Sequence, residues 1–158
     1  PIVGFNYGAK QFCRVLSAMR RSIAAATLLC GAGAAVLFFA PGEAVDFFTS
    51  SPEVRRVGID AARMLAPGML VTGFQIMASG LFQALGKAGP SFVLSLLRQV
   101  IFLIPLVLVL ARYFGLFGIW LAFPLSDFGA SLLAHFIYRR EMRSLRDVCE
   151  AGGEVTAS

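Results

Sequence analysis

The sequence predicts an all-α integral membrane protein with four transmembrane helices. Three observations carry that prediction. Hydrophobic residues are 58% of the 158 and charged residues only 15%, against roughly 45–50% and 25% in typical globular proteins. The apolar residues gather in four long runs, and mean hydropathy is +0.77. The basic residues stand at the ends of those runs. This composition excludes a disordered chain, a disulfide-rich secreted module and most cytosolic enzymes. The net charge is +5. Because the basic residues flank apolar runs rather than share one polar face, they point to a membrane and not to nucleic acid.

Each run is long enough to cross a hydrocarbon core of about 30 Å at 1.5 Å per residue. Residues 1–21 form a polar lead-in with Lys10, Arg14, Arg20 and Arg21. Ser22–Ala40 is free of charge. Residues 41–63 form a loop and then an amphipathic helix. Within them Ser51-Pro52-Glu53 reads as an N-cap, a proline at the first helical position and an acid in the first turn. Met64–Gly86 is the second uncharged run. Ala88–Ala111 is broken only by Arg98, and Tyr113–Tyr138 by Asp127 and His135. The connections at Gly86–Pro90 and Arg112–Leu116 are so short that the last three runs must be antiparallel neighbours. Strands are not expected, because a transmembrane strand alternates apolar and polar residues. Residues 139–158 form a polar tail, expected to fray beyond Asp147.

Charge predicts the orientation. Lys10, Arg14, Arg20, Arg21, Lys87, Arg139, Arg140, Arg143 and Arg146 share one side of this arrangement. Arg55, Arg56, Arg63 and Arg112 share the other, with Glu43, Asp46, Glu53 and Asp60 among them. The positive-inside rule places the first group, and the C-terminus, in the cytoplasm. The chain opens on Pro1 with no apolar leader before the first run, and the reading is the C-terminal part of a longer chain.

Polar groups inside the runs carry most of the functional information, because a bilayer makes them costly. Thr72, Gln75, Ser79 and Gln83 lie on one helical stripe; Ser91, Ser95, Arg98 and Gln99 on a second; Asp127, Ser131 and His135 on a third. Together they predict a shared water-accessible cavity. Single Ser and Thr residues fit hydrogen bonding within or between helices as well. Gln75, Gln83 and Gln99 bring whole amides that need partners. Arg98 lies 11 residues after Lys87 and Asp127 lies 12 before Arg139. Both therefore sit roughly 16–18 Å from the same side of the membrane, and an ion pair between them would lower the cost of burying both. His135 is expected at headgroup level. Pro67, Pro105 and Pro124 are positions of helix bending. Small residues crowd the first run (Ala24, Ala25, Ala26, Gly31, Gly33, Ala34, Ala35), as close helix packing in a membrane requires.

Cys13, Cys30 and Cys149 are far apart and lack CxxC spacing, so neither a zinc site nor a disulfide is expected. Nothing matches a nucleophile–base pair, a phosphate loop or paired carboxylates, and no enzymatic activity is expected.

Several segments resemble the multidrug and toxic compound extrusion (MATE) family. Pro1-Ile2-Val3-Gly4-Phe5-Asn6-Tyr7-Gly8-Ala9-Lys10 is similar to that family's loop after the eighth helix. Leu81–Lys87, Leu96–Gln99 and Gly118–Asp127 resemble parts of its tenth, eleventh and twelfth helices, in order and at the right spacing. The resemblance runs from Pro1 to about Tyr138. It implies that the four helices belong to the second six-helix bundle of a twelve-helix transporter of the plasma or inner membrane. Such a transporter exports cationic or amphipathic small molecules by alternating access. Its partners would be membrane lipid and the remaining helices of the full chain. No cofactor is implied, only a coupling ion, sodium or proton, with no evident site in this segment. The acid many members use for coupling lies in their first helix. The acid some carry in the tenth helix, near Thr72 to Gln75, has no counterpart here. The candidates for lining the cavity are Gln75, Ser79, Gln83, Arg98, Gln99 and Asp127. The alternatives are a lipid-linked oligosaccharide flippase of the same superfamily, or a free-standing four-helix membrane subunit.

Overall fold

The computed structural model describes the backbone of residues 1–155, and the side chains of residues 1–151 other than Leu97. Among the described residues the regular structure is helical. In order these are α1 (Ile2–Gly8), α2 (Phe12–Phe39), α3 (Pro41–Asp46), α4 (Pro52–Ala84), α5 (Ala88–Leu96), a π-helical stretch (Leu97–Leu103) and α6 (Ile104–Val155).

α2 stops at Ala40, immediately before Pro41, which opens the short α3. α4 starts on Pro52 with Glu53 in its first turn, where an acid favours the helix dipole. Ser51 occupies the N-cap position, but its hydroxyl makes no capping hydrogen bond. The amphipathic segment and the second apolar run are one 33-residue helix, continuous through Pro67. α4 is the central element and packs against α1, α2, α3, α5 and α6.

Three continuous helical stretches are long and apolar enough to cross a membrane: α2, α4 and Ala88–Ala151. The third is 64 residues long, about 96 Å if straight, three times the thickness of a hydrocarbon core. It is not straight. Gly115 (φ 57°, ψ −136°) breaks the helix in a conformation closed to side chains with a Cβ. The two arms then run antiparallel. Arg98 pairs with Asp127, Phe102 lies over Gly129, and Lys87 pairs with Glu141. Each pair straddles Gly115 at similar distances along the chain, so this stretch has two antiparallel arms, each long enough for one pass of a membrane.

The residues along those passes are inside-out relative to a soluble protein. Leu28, Leu29, Phe39, Leu108 and Leu132 are all more than 60% exposed, as faces turned to lipid or to other helices must be. The buried positions are mostly small. α2 crosses α4 where a Cβ on Gly73 would come 2.7 Å from the Ala26 carbonyl oxygen, so only glycine admits this approach. Of the small residues in α2, Ala34 is buried and Gly33 faces the Met69 methyl.

Two expectations are corrected at the basic end of the bundle. Among the described residues the tail is helical beyond Asp147, with α6 continuing to Val155; residues 156–158 of the expected frayed tail lie outside the described residues. Leu145 is 5% exposed and packs with Val15, Met19, Leu81 and Leu85, backed by Met142 and Tyr138. That amphipathic face anchors α6 as far as Leu145, two residues before Asp147. The second correction concerns the cysteines. α2 begins at Phe12, so its first turn lies beside the last turns of α6, and Cys13 and Cys149 form a disulfide with Cα atoms 5.3 Å apart. Their separation of 136 residues hid a proximity that only the two helix extensions create. Cys30 is free.

Candidate functional site

The polar stripes of α4 and α5 face each other across a cavity of about 400 Å³. α4 contributes Gln75, Ser79 and Gln83; α5 and the π-helical stretch contribute Ser95, Arg98 and Gln99. Five of the six residues singled out in the sequence therefore line one space. The sixth, Asp127, stands behind it. Arg98 Nε donates to Asp127 Oδ1 at 2.8 Å, and the Asp127 side chain is 11% exposed against 37% for Arg98. The pair predicted from matched depth is formed, with its cation turned toward the cavity and its anion packed away from it.

Local chemistry explains how the pair is held. Pro105 lacks an N–H, and its ring clashes with the carbonyl four residues before it. The chain widens to a π-helix over Leu97–Leu103, just ahead of Pro105. Such widening re-phases the side chains that follow, and Arg98 and Gln99 lie within it. On the other side, α6 approaches α4 through Gly68. A Cβ there would meet Asp127 Oδ2 at 2.8 Å and Pro124 Cα at 3.2 Å. The missing side chain is the space that the carboxylate occupies.

Gln75 joins α4 to the same point. Its Nε2 donates to the Asp127 carbonyl oxygen at 2.5 Å. Gln75 is 8% exposed, and its Oε1 is buried with no hydrogen-bond partner among the described residues. An unpaired buried acceptor costs about 1–3 kcal/mol, a local cost of seating Gln75 against α6.

The hydroxyls are spent locally, as the plain reading of single Ser and Thr residues expects. Thr72 Oγ1 donates to the Gly68 carbonyl, Ser95 Oγ to the Ser91 carbonyl and Ser126 Oγ to the Phe123 carbonyl. Ser79 and Ser91 join α4 to α5, Oγ to Oγ at 3.1 Å.

The third stripe does not take part as expected. α6 lines the cavity with Ala130 and Ala134, whereas His135 opens on a different cavity and packs on Phe74 with ring centroids 5.7 Å apart. The face that α6 buries is Ala122, Ser126, Ala130 and Ala134, with Asp127 beside it. That i, i+4 row of small residues was the available signal. Weighing only polar residues overlooked it.

Among the described residues no group of three or more His, Cys, Asp or Glu is placed to hold a metal ion. The cavity offers amides, hydroxyls and a neutralised ion pair. It can bind and orient a solute, but no nucleophile with a base beside it is among the described residues that line it.

Comparison with known proteins places this geometry. Residues 1–109 match the MatE family model. The chain is 40% identical to the MATE multidrug transporter DinF-BH, solved as a complex, with a TM-score of 0.83 over 94% of this chain and 32% of that one. It shares its fold with an inward-facing MATE family transporter of the MOP superfamily (22% identity, TM-score 0.83, 92% of this chain and 34% of that one). It also shares it with the bent form of the Vibrio cholerae MATE transporter VcmN (20% identity, TM-score 0.83, 94% and 34%). The chain thus spans about a third of the length of the transporters it matches. No curated protein is significantly similar.

Proposed function

Since this chain belongs to the MatE family of multidrug and toxic compound extrusion transporters, we propose that it supplies helices nine to twelve of a twelve-helix efflux transporter. In this reading the basic end of the bundle faces the cytoplasm. The whole protein exports cationic or amphipathic compounds by alternating access, coupled to inward sodium or proton flow. Family membership favours export over lipid-linked oligosaccharide flipping and over a free-standing subunit.

One observation carries the reading: the cavity bounded by Gln75, Ser79, Gln83, Arg98 and Gln99. Arg98 would repel a cation if it stood alone. With Asp127 at 2.8 Å the pair carries no net charge, which weakens that repulsion. What remains is a wall that includes the amide dipoles of Gln83 and Gln99. A cationic solute's N–H groups suit such a wall, and its apolar body suits Ile76, Met77 and Leu94. This half then provides shape and dipoles, while the charge that attracts the cation and couples the ion comes from the other helices.

The test is export by cells expressing the full-length gene. Resistance to cationic dyes and drugs should rise, and should depend on a sodium or proton gradient. Resistance that survives collapse of both gradients would contradict coupled antiport. A full-length protein with no effect on any cationic or amphipathic compound would contradict multidrug export.

A further inference from the structure

A second cavity, of about 600 Å³, lies between the start of α2 and the C-terminal half of α6, away from the transport cavity. α2 gives Leu16, Ser17, Arg20 and Ile23; α6 gives His135, Tyr138, Arg139, Met142, Arg143 and Arg146. Arg139, Arg143 and Arg146 are spaced 4 and 3 apart, which puts them on one face of α6, and Arg20 faces them from α2. Among the described residues no acidic side chain lines this cavity. The described ion pairs of the chain are Asp46–Arg55, Lys87–Glu141 and Arg98–Asp127, and none involves these four arginines. Four exposed guanidinium groups surround one space without a carboxylate in its lining; Asp147 lies in an adjoining groove with Arg139, Arg140 and Arg143. Such a space favours an anion.

The depth of the cavity identifies the anion. Tyr138 ends the last apolar run, and Arg139 is the next residue. The basic groups on α6 therefore run from the edge of the hydrocarbon at Arg139 to about two turns beyond it at Arg146, across headgroup level. The walls change character in the same direction. Ile23 lies about one turn deeper along α2 than Arg20, and Phe136, 64% exposed, lies in an adjoining groove that also holds Arg139, Arg140, Arg143 and Asp147. An ordered ligand here meets guanidinium groups at one end and apolar side chains at the other. Arginine forks match phosphate oxygens in pairs, and basic pockets between membrane helices hold anionic lipid headgroups.

We infer that the cavity between α2 and α6, lined by Arg20, Arg139, Arg143 and Arg146, is a binding site for the phosphate headgroup of an anionic phospholipid. The acyl chains lie along Ile23 and Phe136. The lipid joins the first helix of this segment to the last, beside the Cys13–Cys149 link. The site is separate from the transport cavity, so its existence does not depend on what is exported.

The test uses the full-length transporter in phosphatidylcholine nanodiscs with graded phosphatidylglycerol, reading retained lipid by native mass spectrometry. Wild-type protein should retain phosphatidylglycerol over phosphatidylcholine. Arg139→Gln with Arg143→Gln should weaken that retention by roughly thirtyfold, about fivefold for each charge. Arg139→Lys with Arg143→Lys keeps the charge and should recover part of it. Arg56→Gln with Arg63→Gln, at the opposite end, should change nothing. An equal loss in that control would mean diffuse attraction and overturn the site. Displacement of the lipid by millimolar inorganic phosphate alone would show a free-anion site and overturn the lipid assignment. Wild-type protein that retains no excess of phosphatidylglycerol would show that another part of the full chain fills the cavity, and would overturn it as well.

Discussion

Two ion pairs in this chain have the same chemistry and opposite surroundings. Asp46 and Arg55 meet at 2.5 Å where α3 packs on the start of α4, with both side chains about half exposed. Asp127 and Arg98 meet at 2.8 Å within the four-helix layer, and the carboxylate is 11% exposed. Water can solvate either member of the first pair if the other is lost. Arg98, 37% exposed, would keep only the polar cavity it lines, and Asp127, 11% exposed, would have no such access. The comparison teaches that an ion pair's weight is set by what replaces it when it breaks, not by its length.

The largest effect expected from that contrast is at Asp127. Asp127→Asn leaves the Arg98 guanidinium without its counter-ion, at a cost of up to about 2.5–3.5 kcal/mol on insertion scales, reduced by its access to the polar cavity. Expression and export of the full-length protein should both fall sharply. Gly68→Val should come next, because its side chain would enter the space of Asp127 Oδ2. Overpacking of this kind costs about 1–3 kcal/mol. Thermal unfolding in detergent should show the loss, and Gly68→Ala should lose less than Gly68→Val.

Gln75→Leu is expected to act differently. It removes one hydrogen bond to the Asp127 carbonyl and also the unpaired Oε1. The two changes oppose each other, so stability should shift by about 1 kcal/mol or less. The measurable change should be in the apparent KM for cationic compounds, with expression near wild type.

The smallest effect is at Asp46. The hydrogen bond from Arg55 holds its carboxyl below the ordinary carboxylate range. A depressed folded-state pKa adds stability that is fully present above the unfolded pKa and is lost as pH falls through the folded value. Asp46→Asn should therefore shift the melting temperature only slightly at neutral pH. That difference should vanish in acid, below the usual carboxylate range. A large shift at pH 7 would erase the contrast between the two pairs.

What the sequence disclosed of this site follows the same physics. Arg98 and Asp127 were legible because two charges in apolar runs have few tolerable positions, and counting residues from Lys87 and Arg139 gave their depth. Gln75, Gln83 and Gln99 were legible for the same reason. The sequence puts His135 at headgroup level, and its i, i+4 spacing from Asp127 does not bring it to the cavity, because α6 turns a neighbouring row, Ala122, Ser126, Ala130 and Ala134, inward. The π-helical stretch carries no composition of its own; Pro105 only marks that something must give nearby. Cys13 and Cys149 could not be paired in advance, since their approach depends on α2 and α6 extending past the apolar runs that defined them.

The central claim is that Arg98 and Asp127 act as one buried unit that keeps the cavity wall near neutral. A double-mutant cycle tests it most directly, with Arg98→Gln, Asp127→Asn and both together in the full-length protein, reading expression and export in parallel. The double substitution should recover part of what either single one loses, because no unpaired charge remains. Strict additivity in both assays would mean that the residues do not interact. Normal expression of Asp127→Asn with export abolished, and no recovery in the double, would make Asp127 an independent cavity carboxylate and contradict the claim.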